Sequence, residues 1–176
     1  MNYSSYDKKG VVFLAKLDVI QEFREDHRKV RDGLLDLSDA LQKHDVAKAR
    51  QILGNINTLV GPHFRYEEEA LYPALRQFLG EYVDQLLKEH DQVINTAKTA
   101  SNLLSKKALT DEETTNAIKA ARSLLVHVSN CDGLGILTER LGAKELDALG
   151  GKLIQTRKVG VPLLEWADKI RKKYTA

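Results

Sequence analysis

The sequence predicts an all-α fold, an antiparallel up-and-down four-helix bundle with extra short helices at its C-terminal end. The 176 residues are rich in Leu, Ala, Lys, Glu and Asp and include only three prolines. Alternation of apolar and polar residues, which is typical of half-buried strands, is nearly absent. Four long segments instead repeat apolar residues every three or four positions, as amphipathic helices do.

End signals support each of these segments. Gly80 suits the C-terminal cap of a helix, and Thr110 with the acids after it suits an N-terminal cap. Short connections between successive segments imply antiparallel neighbours. The predicted helices cover about residues 16–44, 46–79, 81–106 and a segment that starts near Asp111.

A proline interrupts the second segment. Pro62 removes one backbone hydrogen bond from a helix, and its ring disturbs the preceding turn. Two interpretations stay open: the helix bends at Pro62, or it ends near Gly61 and restarts. In both, the backbone that follows is distorted.

The chain is predicted to divide into three parts. Residues 1–16 form an N-terminal extension, residues 17–150 the bundle, and residues 151–176 a C-terminal helix that packs on the bundle. A short helix before the last part is expected to end at Gly150-Gly151. The apolar residues of the last helix could cover the bundle end or join two chains, so a homo-oligomer stays open.

Charge and cysteine content exclude several classes of function. The 27 Lys and Arg balance 25 Asp and Glu along solvated helix faces, so no nucleic-acid surface is predicted. One cysteine excludes an internal disulfide and fits a reducing compartment. The apolar run at residues 11–15 is too short for a signal peptide or a membrane span, so we expect a cytoplasmic protein.

Polar side chains inside the apolar stripes are the most informative residues. A carboxylate aimed at a core is costly unless it is paired or bound to a metal, and imidazole with carboxylate suits iron and other first-row metals. A single stripe histidine is more often an ordinary core residue, but one on each of four helices is much harder to dismiss. The predicted metal ligands from this pattern are His27, His63, Glu67, His90 and His127.

The segment His63-Phe-Arg-Tyr-Glu67 resembles the HxxxE segment of hemerythrin-like (HHE cation-binding) domains. The resemblance covers about residues 17–150 and includes the segments around the other three stripe histidines. It implies a four-helix bundle with two non-haem irons, the histidines as terminal ligands and Glu67 as a bridging carboxylate. It also implies a small ligand, O2 or NO, in sensing, carriage, iron handling or stress protection. Another divalent metal stays open as the occupant.

The third helix departs from the family pattern. Oxygen-carrying hemerythrins have two histidines four residues apart there, whereas Leu86 and Ile94 flank His90 in this chain. One metal would then have fewer protein nitrogens. The open positions favour reactivity or signalling over protected O2 carriage.

A second departure follows His127. Many family members have glutamate four residues later, where this chain has Cys131, and Asp132 follows at a spacing that oxygen-carrying hemerythrins use. Five residues on an ideal helix turn through about 500°, so Asp132 reaches the site only if the helix unwinds, for example in a π-bulge near Gly133 and Gly135. We predict Asp132 as a ligand. A Cys131 thiolate ligand, or no second bridge, are the alternatives.

Three functions remain open from the sequence. The first is a di-iron protein that binds O2, NO or a related small oxidant. The second is a di-iron peroxidase or oxidase, although the Glu-x-x-His pairs of carboxylate-rich oxidases do not occur at stripe positions. The third is a degenerate bundle with one metal or none. We expect a binding protein rather than an enzyme.

Overall fold

The computed structural model describes residues 17–171, which form helices without strands, so the all-α prediction is confirmed. Among these residues, none of the helices combines the length and hydrophobicity that crossing a bilayer requires. The predicted N-terminal extension and the last residues of the chain lie outside the described range. In chain order the elements are α1 (Val19–Gln42), α2 (Val46–Tyr66), a π-helical turn (Glu67–Leu71), α3 (Tyr72–Leu79), α4 (Tyr82–Leu103), α5 (Asp111–Asp132), α6 (Leu134–Thr138), α7 (Ala143–Val159) and α8 (Leu163–Lys169).

Local signals explain where the helices begin and end. The Asp18 carboxylate accepts two backbone N–H groups at the start of α1, at 3.1 and 3.0 Å. Asp45 caps α2 in the same way. Gly80 ends α3 with a positive φ of 54°, and Thr110 with Glu113 forms a capping box on α5, as the sequence predicts.

Two apolar clusters fill the interior of the described residues. The first includes Phe23 and Tyr66, and the second includes Leu34 and Val60. The chain passes from the first cluster to the second along α1 and again along α4. Along α2 and α5 it passes in the opposite direction, from the second cluster to the first. The four long helices of the described range are therefore antiparallel, and the stripe histidine of each lies between the two clusters.

The helices do not pack equally. α1 packs closely along both α2 and α5, whereas α4 makes few contacts with either α2 or α5. The bundle is therefore tight around α1 and more open beside α4.

The predicted helix end at Gly150-Gly151 is wrong. α7 continues through both glycines to Val159 and ends at Gly160, whose positive φ of 64° suits a C-terminal cap. A Cβ at Gly150 would lie 3.3 Å from the side chain of Val19. Gly150 therefore serves the close packing of α7 on α1.

Gly61 and Pro62 lie inside one continuous α2, so the interpretation that the helix restarts after Gly61 is wrong. The backbone that precedes α8 crosses α2 at Gly61: a Cβ there would lie 2.1 Å from the Val161 carbonyl oxygen. Next to this crossing, Asn57 Oδ1 accepts the N–H of Leu164 at 3.0 Å. Residues 143–171, called here the C-terminal segment, thus dock on α2 two residues before His63.

Candidate metal centre

The four stripe histidines meet at one level of the bundle. The Nε2 atoms of His27 and His63 are 3.1 Å apart, and the ring centroids of His90 and His127 are 5.0 Å apart. Glu67 lies between the two pairs, with Oε1 3.5 Å from Nε2 of His63 and Oε2 3.1 Å from Nε2 of His90. The structure therefore brings together five of the six residues that the sequence nominates as ligands.

Glu67 is fully buried, and within residues 17–171 neither of its oxygens accepts a hydrogen bond of good geometry. Burial alone would raise the pKa of Glu67, but the positive charge of His63 and the nearby imidazoles outweigh it and hold the pKa well below its usual value. The imidazoles compensate the charge of Glu67, but among the described residues no donor of good geometry reaches either oxygen, so both oxygens stay available to a cation. One ligand atom from each of Glu67, His63 and His27 lies within 4.8 Å of the others. A cation among these atoms would satisfy all of them.

Each of the four histidines also has a carboxylate beside Nδ1. A carboxylate there accepts the Nδ1 proton, so Nε2 is the nitrogen that faces the centre, as in metal-binding histidines generally. Four such pairs at one level are hard to explain as ordinary core packing. The Nδ1–oxygen distances are 3.4 Å for His27–Asp132, 3.3 Å for His63–Asp26, 2.8 Å for His90–Glu68 and 3.0 Å for His127–Glu89.

A family model for the hemerythrin HHE cation binding domain matches residues 18–130, well over half of the chain. The chain belongs to this family. Searches of the curated proteins and of the solved structures gave no match. The matched range contains the four stripe histidines and Glu67, whereas the C-terminal segment lies outside it.

The π-helical turn adds a tyrosine to this HHE centre. The N–H of Tyr72 bonds to the carbonyl of Glu67, five residues earlier, so both residues share one face. The Tyr72 hydroxyl lies 2.9 Å from Nε2 of His90. In a regular α-helix the two side chains would be about 140° apart. Tyr72 is absent from the predicted ligands because the sequence carries no recognisable signal for the π-helical turn.

Asp132 lies at the edge of the centre. α5 is regular through Asp132, so the π-bulge predicted there is wrong; the π-helical turn occurs between α2 and α3 instead. The Asp132 carboxylate is half exposed and lies 3.4 Å from Nδ1 of His27, whereas Nε2 of that ring faces Glu67. Asp132 thus contacts the cluster through His27, and its role as a metal ligand remains a prediction.

Cys131 lies closer to the centre than Asp132. Its thiol is buried, 3.5 Å from the Tyr72 hydroxyl and 3.7 Å from Nε2 of His127. Burial raises the pKa of the thiol well above its usual value, and the charge of Glu67 adds to the effect. In the metal-free chain Cys131 is therefore a neutral thiol.

In the metal-free chain the pKa values of His63 and His27 place one proton on His63. Burial disfavours the charged form of His63, but the Glu67 charge and the hydrogen bond with Asp26 outweigh it and raise the pKa of His63 to about 9. Burial and the neighbouring His63 charge lower the pKa of His27 to about 4. His63 therefore donates its Nε2 proton toward His27, and a metal ion at Nε2 would displace that proton.

Two arginines of the C-terminal segment hold carboxylates that orient histidines. Arg157 Nη2 lies 2.9 Å from Oδ1 of Asp26, and Arg171 Nη2 lies 2.7 Å from Oε1 of Glu68. Both carboxylates are buried, so these contacts fix their orientation. The resulting chains of contacts are Arg157–Asp26–His63 and Arg171–Glu68–His90.

Replacing Arg171 by alanine is expected to weaken metal binding about ten-fold, because Glu68 then loses the partner that holds it against His90. Affinity is measured by competition with a chelator. Arg65→Ala is the matched control, since among the described residues Arg65 pairs with Glu69 and with no carboxylate that contacts a histidine. Equal loss of affinity in both variants would contradict the role given to Arg171.

Proposed function

We propose that the HHE centre of this chain holds two non-haem iron ions and binds a small oxidant, O2 or NO. The observation that carries the proposal is Glu67, an ionised and fully buried carboxylate with one oxygen turned to each of two imidazole pairs. Neutral imidazoles and a carboxylate fit iron among the first-row metals. Membership of the hemerythrin HHE family supports the same metal.

The residues divide into two groups around Glu67. His27 and His63 lie near its Oε1, and His90 lies near its Oε2 with His127 beside it. Each group would hold one ion, with Glu67 shared between them. The ions would supply the redox chemistry and the affinity for O2 or NO.

Aromatic rings position the histidines of the centre. The Phe64 ring stacks on His90 with centroids 3.6 Å apart, and the Phe23 ring packs edge-on against His27 at 4.4 Å. These contacts hold the imidazoles in place. The Tyr72 hydroxyl provides an O–H donor beside His90 for a bound small molecule.

Buried apolar residues flank His90 along α4, at the positions where a further ligand from this helix would stand. Leu86 and Ile94 both pack in the apolar clusters, one on each side of His90. α4 therefore adds a single imidazole to the centre. Coordination positions of the proposed ions that no side chain fills would be available to an added small molecule.

Optical spectroscopy tests the proposal. Anaerobic Fe²⁺-loaded protein is mixed with NO or O2, and new visible absorption that saturates at about one small molecule per pair of irons is expected. Apo protein is the control and should give no new band. An unchanged spectrum with both gases would overturn the proposal. If the iron-loaded protein steadily consumes added hydrogen peroxide, that result would indicate the peroxidase alternative instead.

A further inference from the structure

A long apolar cavity of about 560 Å³ leads away from the metal centre. Its inner end is lined by His27, His63 and His127, and its outer end by Leu41 and Arg50. His27 and Leu41 are 14 residues apart on α1, and His63 and Arg50 are 13 residues apart on α2. At 1.5 Å per residue, both helices give a length of about 20 Å.

The walls between these two ends are mostly apolar, although polar uncharged residues also line them: Asn57, Asn95, Thr96, Thr99, Ser101 and Asn116. The side chains there belong to all four long helices of the described range and include Val30, Leu34, Leu37, Val60, Ala121 and Leu124. The loose packing of α4 against α2 and α5 keeps the space open. Several alanines of α4 and α5 line the cavity, and larger side chains at these positions would fill it. They include Ala97, Ala117 and Ala121.

The dimensions suit one unbranched aliphatic chain. A volume of 560 Å³ over about 20 Å corresponds to a passage at least about 6 Å wide. Non-bonded carbon atoms touch at about 4 Å, so the passage admits an extended aliphatic chain. Sixteen carbons, with C–C bonds of about 1.5 Å, extend to about 19 Å. A diatomic ligand would leave nearly all of this space unfilled.

Charge distinguishes the two ends. Histidines apart, Arg50 is the only charged residue among the described residues that line the cavity. Its Nε and Nη2 donate to the carbonyls of Leu104 and Lys106 at 2.6 and 3.0 Å, which anchors the guanidinium at the rim. Nη1 has no hydrogen bond to another described residue and can donate to an anionic group.

We propose that this cavity binds a long-chain monocarboxylic acid, with the carboxylate at Arg50 and the aliphatic chain extending toward the histidines. The apolar walls bury the chain, and the cationic rim pairs with the head group. This orientation brings the methyl end beside the metal centre. Binding of the acid does not require iron, so this proposal can be tested independently of the di-iron assignment.

The test is the affinity of the iron-free full chain for hexadecanoic acid and hexadecan-1-ol, measured by displacement of a fluorescent fatty acid. The acid is expected to bind a few-fold more tightly than the alcohol, because Arg50 is exposed and an exposed charge pair contributes only modestly. Arg50→Gln should remove that difference, because it weakens only the acid. Arg65→Gln, on the same helix but outside the cavity, should leave both affinities unchanged.

A second variant tests the position of the aliphatic chain. Ala121→Leu places extra carbon atoms in the middle of the passage and should weaken both ligands at least ten-fold. Ala47→Leu, at an exposed position, is its control. Circular dichroism checks that each variant is folded. Absence of binding to the wild-type chain, or Ala121→Leu and Arg50→Gln variants that bind like wild type, would overturn the proposal.

Discussion

Replacing Glu67 by glutamine is expected to weaken iron binding at least 100-fold and to leave the purified chain with well under one iron. Glutamine keeps the volume but removes the charge that neutralises the cations and one oxygen of the proposed bridge. Loss of an outer-sphere partner costs about 10–100-fold in metal affinity, so loss of a ligand shared by both ions should cost more. Iron content after anaerobic reconstitution and chelator competition measure the effect.

Glu69 offers a matched control for this experiment. It lies in the same π-helical turn, but its carboxylate pairs with Arg65 and Lys152 at the surface. Glu69→Gln should therefore bind iron as wild type does. A Glu67→Gln variant that keeps two tightly bound irons would show that iron binding does not require the Glu67 carboxylate.

Replacing Gly61 by alanine is expected to displace the C-terminal segment and destabilise the protein. The new Cβ would lie 2.1 Å from the carbonyl oxygen of Val161 and 2.5 Å from the backbone nitrogen of Leu163, and backbone atoms cannot move aside alone. Leu163 and Trp166 are 2% and 1% exposed and would lose their burial. Each buried side chain contributes about 1.5–3 kcal/mol, and alanine stabilises a helix by about 1 kcal/mol relative to glycine. We therefore expect the free energy of unfolding to fall by about 2–5 kcal/mol.

Urea unfolding measures this loss in the free energy of unfolding, and chelator competition measures the accompanying change at the metal centre. Because Arg171 follows α8, its contact with Glu68 should also be lost, with about a ten-fold weaker metal affinity. Gly54→Ala is the control on the same helix, since no atom of residues 17–171 outside its own helix backbone and chain neighbours lies within 4 Å of its Cβ position. An unchanged stability and metal affinity in Gly61→Ala would contradict the docking role of the C-terminal segment.

The sequence predicts the fold and the convergence of the histidines because both depend on local periodicity. His27, His63, His90 and His127 each interrupt an apolar stripe near its middle. Antiparallel helices then place these positions at one level, between the two apolar clusters. Glu67 shares that level because it follows His63 by about one helical turn.

The partners of the histidines depend on contacts between helices, and the sequence shows them only in part. Asp26 directly precedes His27 but contacts His63, and Glu89 directly precedes His90 but contacts His127. Adjacent helical residues point about 100° apart, so an acid beside one ligand reaches the ligand of a neighbouring helix. An acid directly before a stripe histidine is therefore the signal that could have identified these partners.

The remaining features have no comparable local signal. Arg157 and Arg171 reach the centre because the C-terminal segment docks at Gly61, and that docking depends on the folded shape of α2. Tyr72 faces His90 because of one additional residue in a helical turn. The cavity depends on how far α4 lies from its neighbours, which periodicity does not specify.

Metal analysis of protein purified aerobically without a chelating tag tests the central claim most directly. We expect about two irons per chain, with near-ultraviolet absorption that disappears on reduction and a Glu67→Gln variant that lacks both. Near-zero iron that persists after anaerobic reconstitution with Fe²⁺ would contradict this claim, and the cluster around Glu67 would then hold another ion or none.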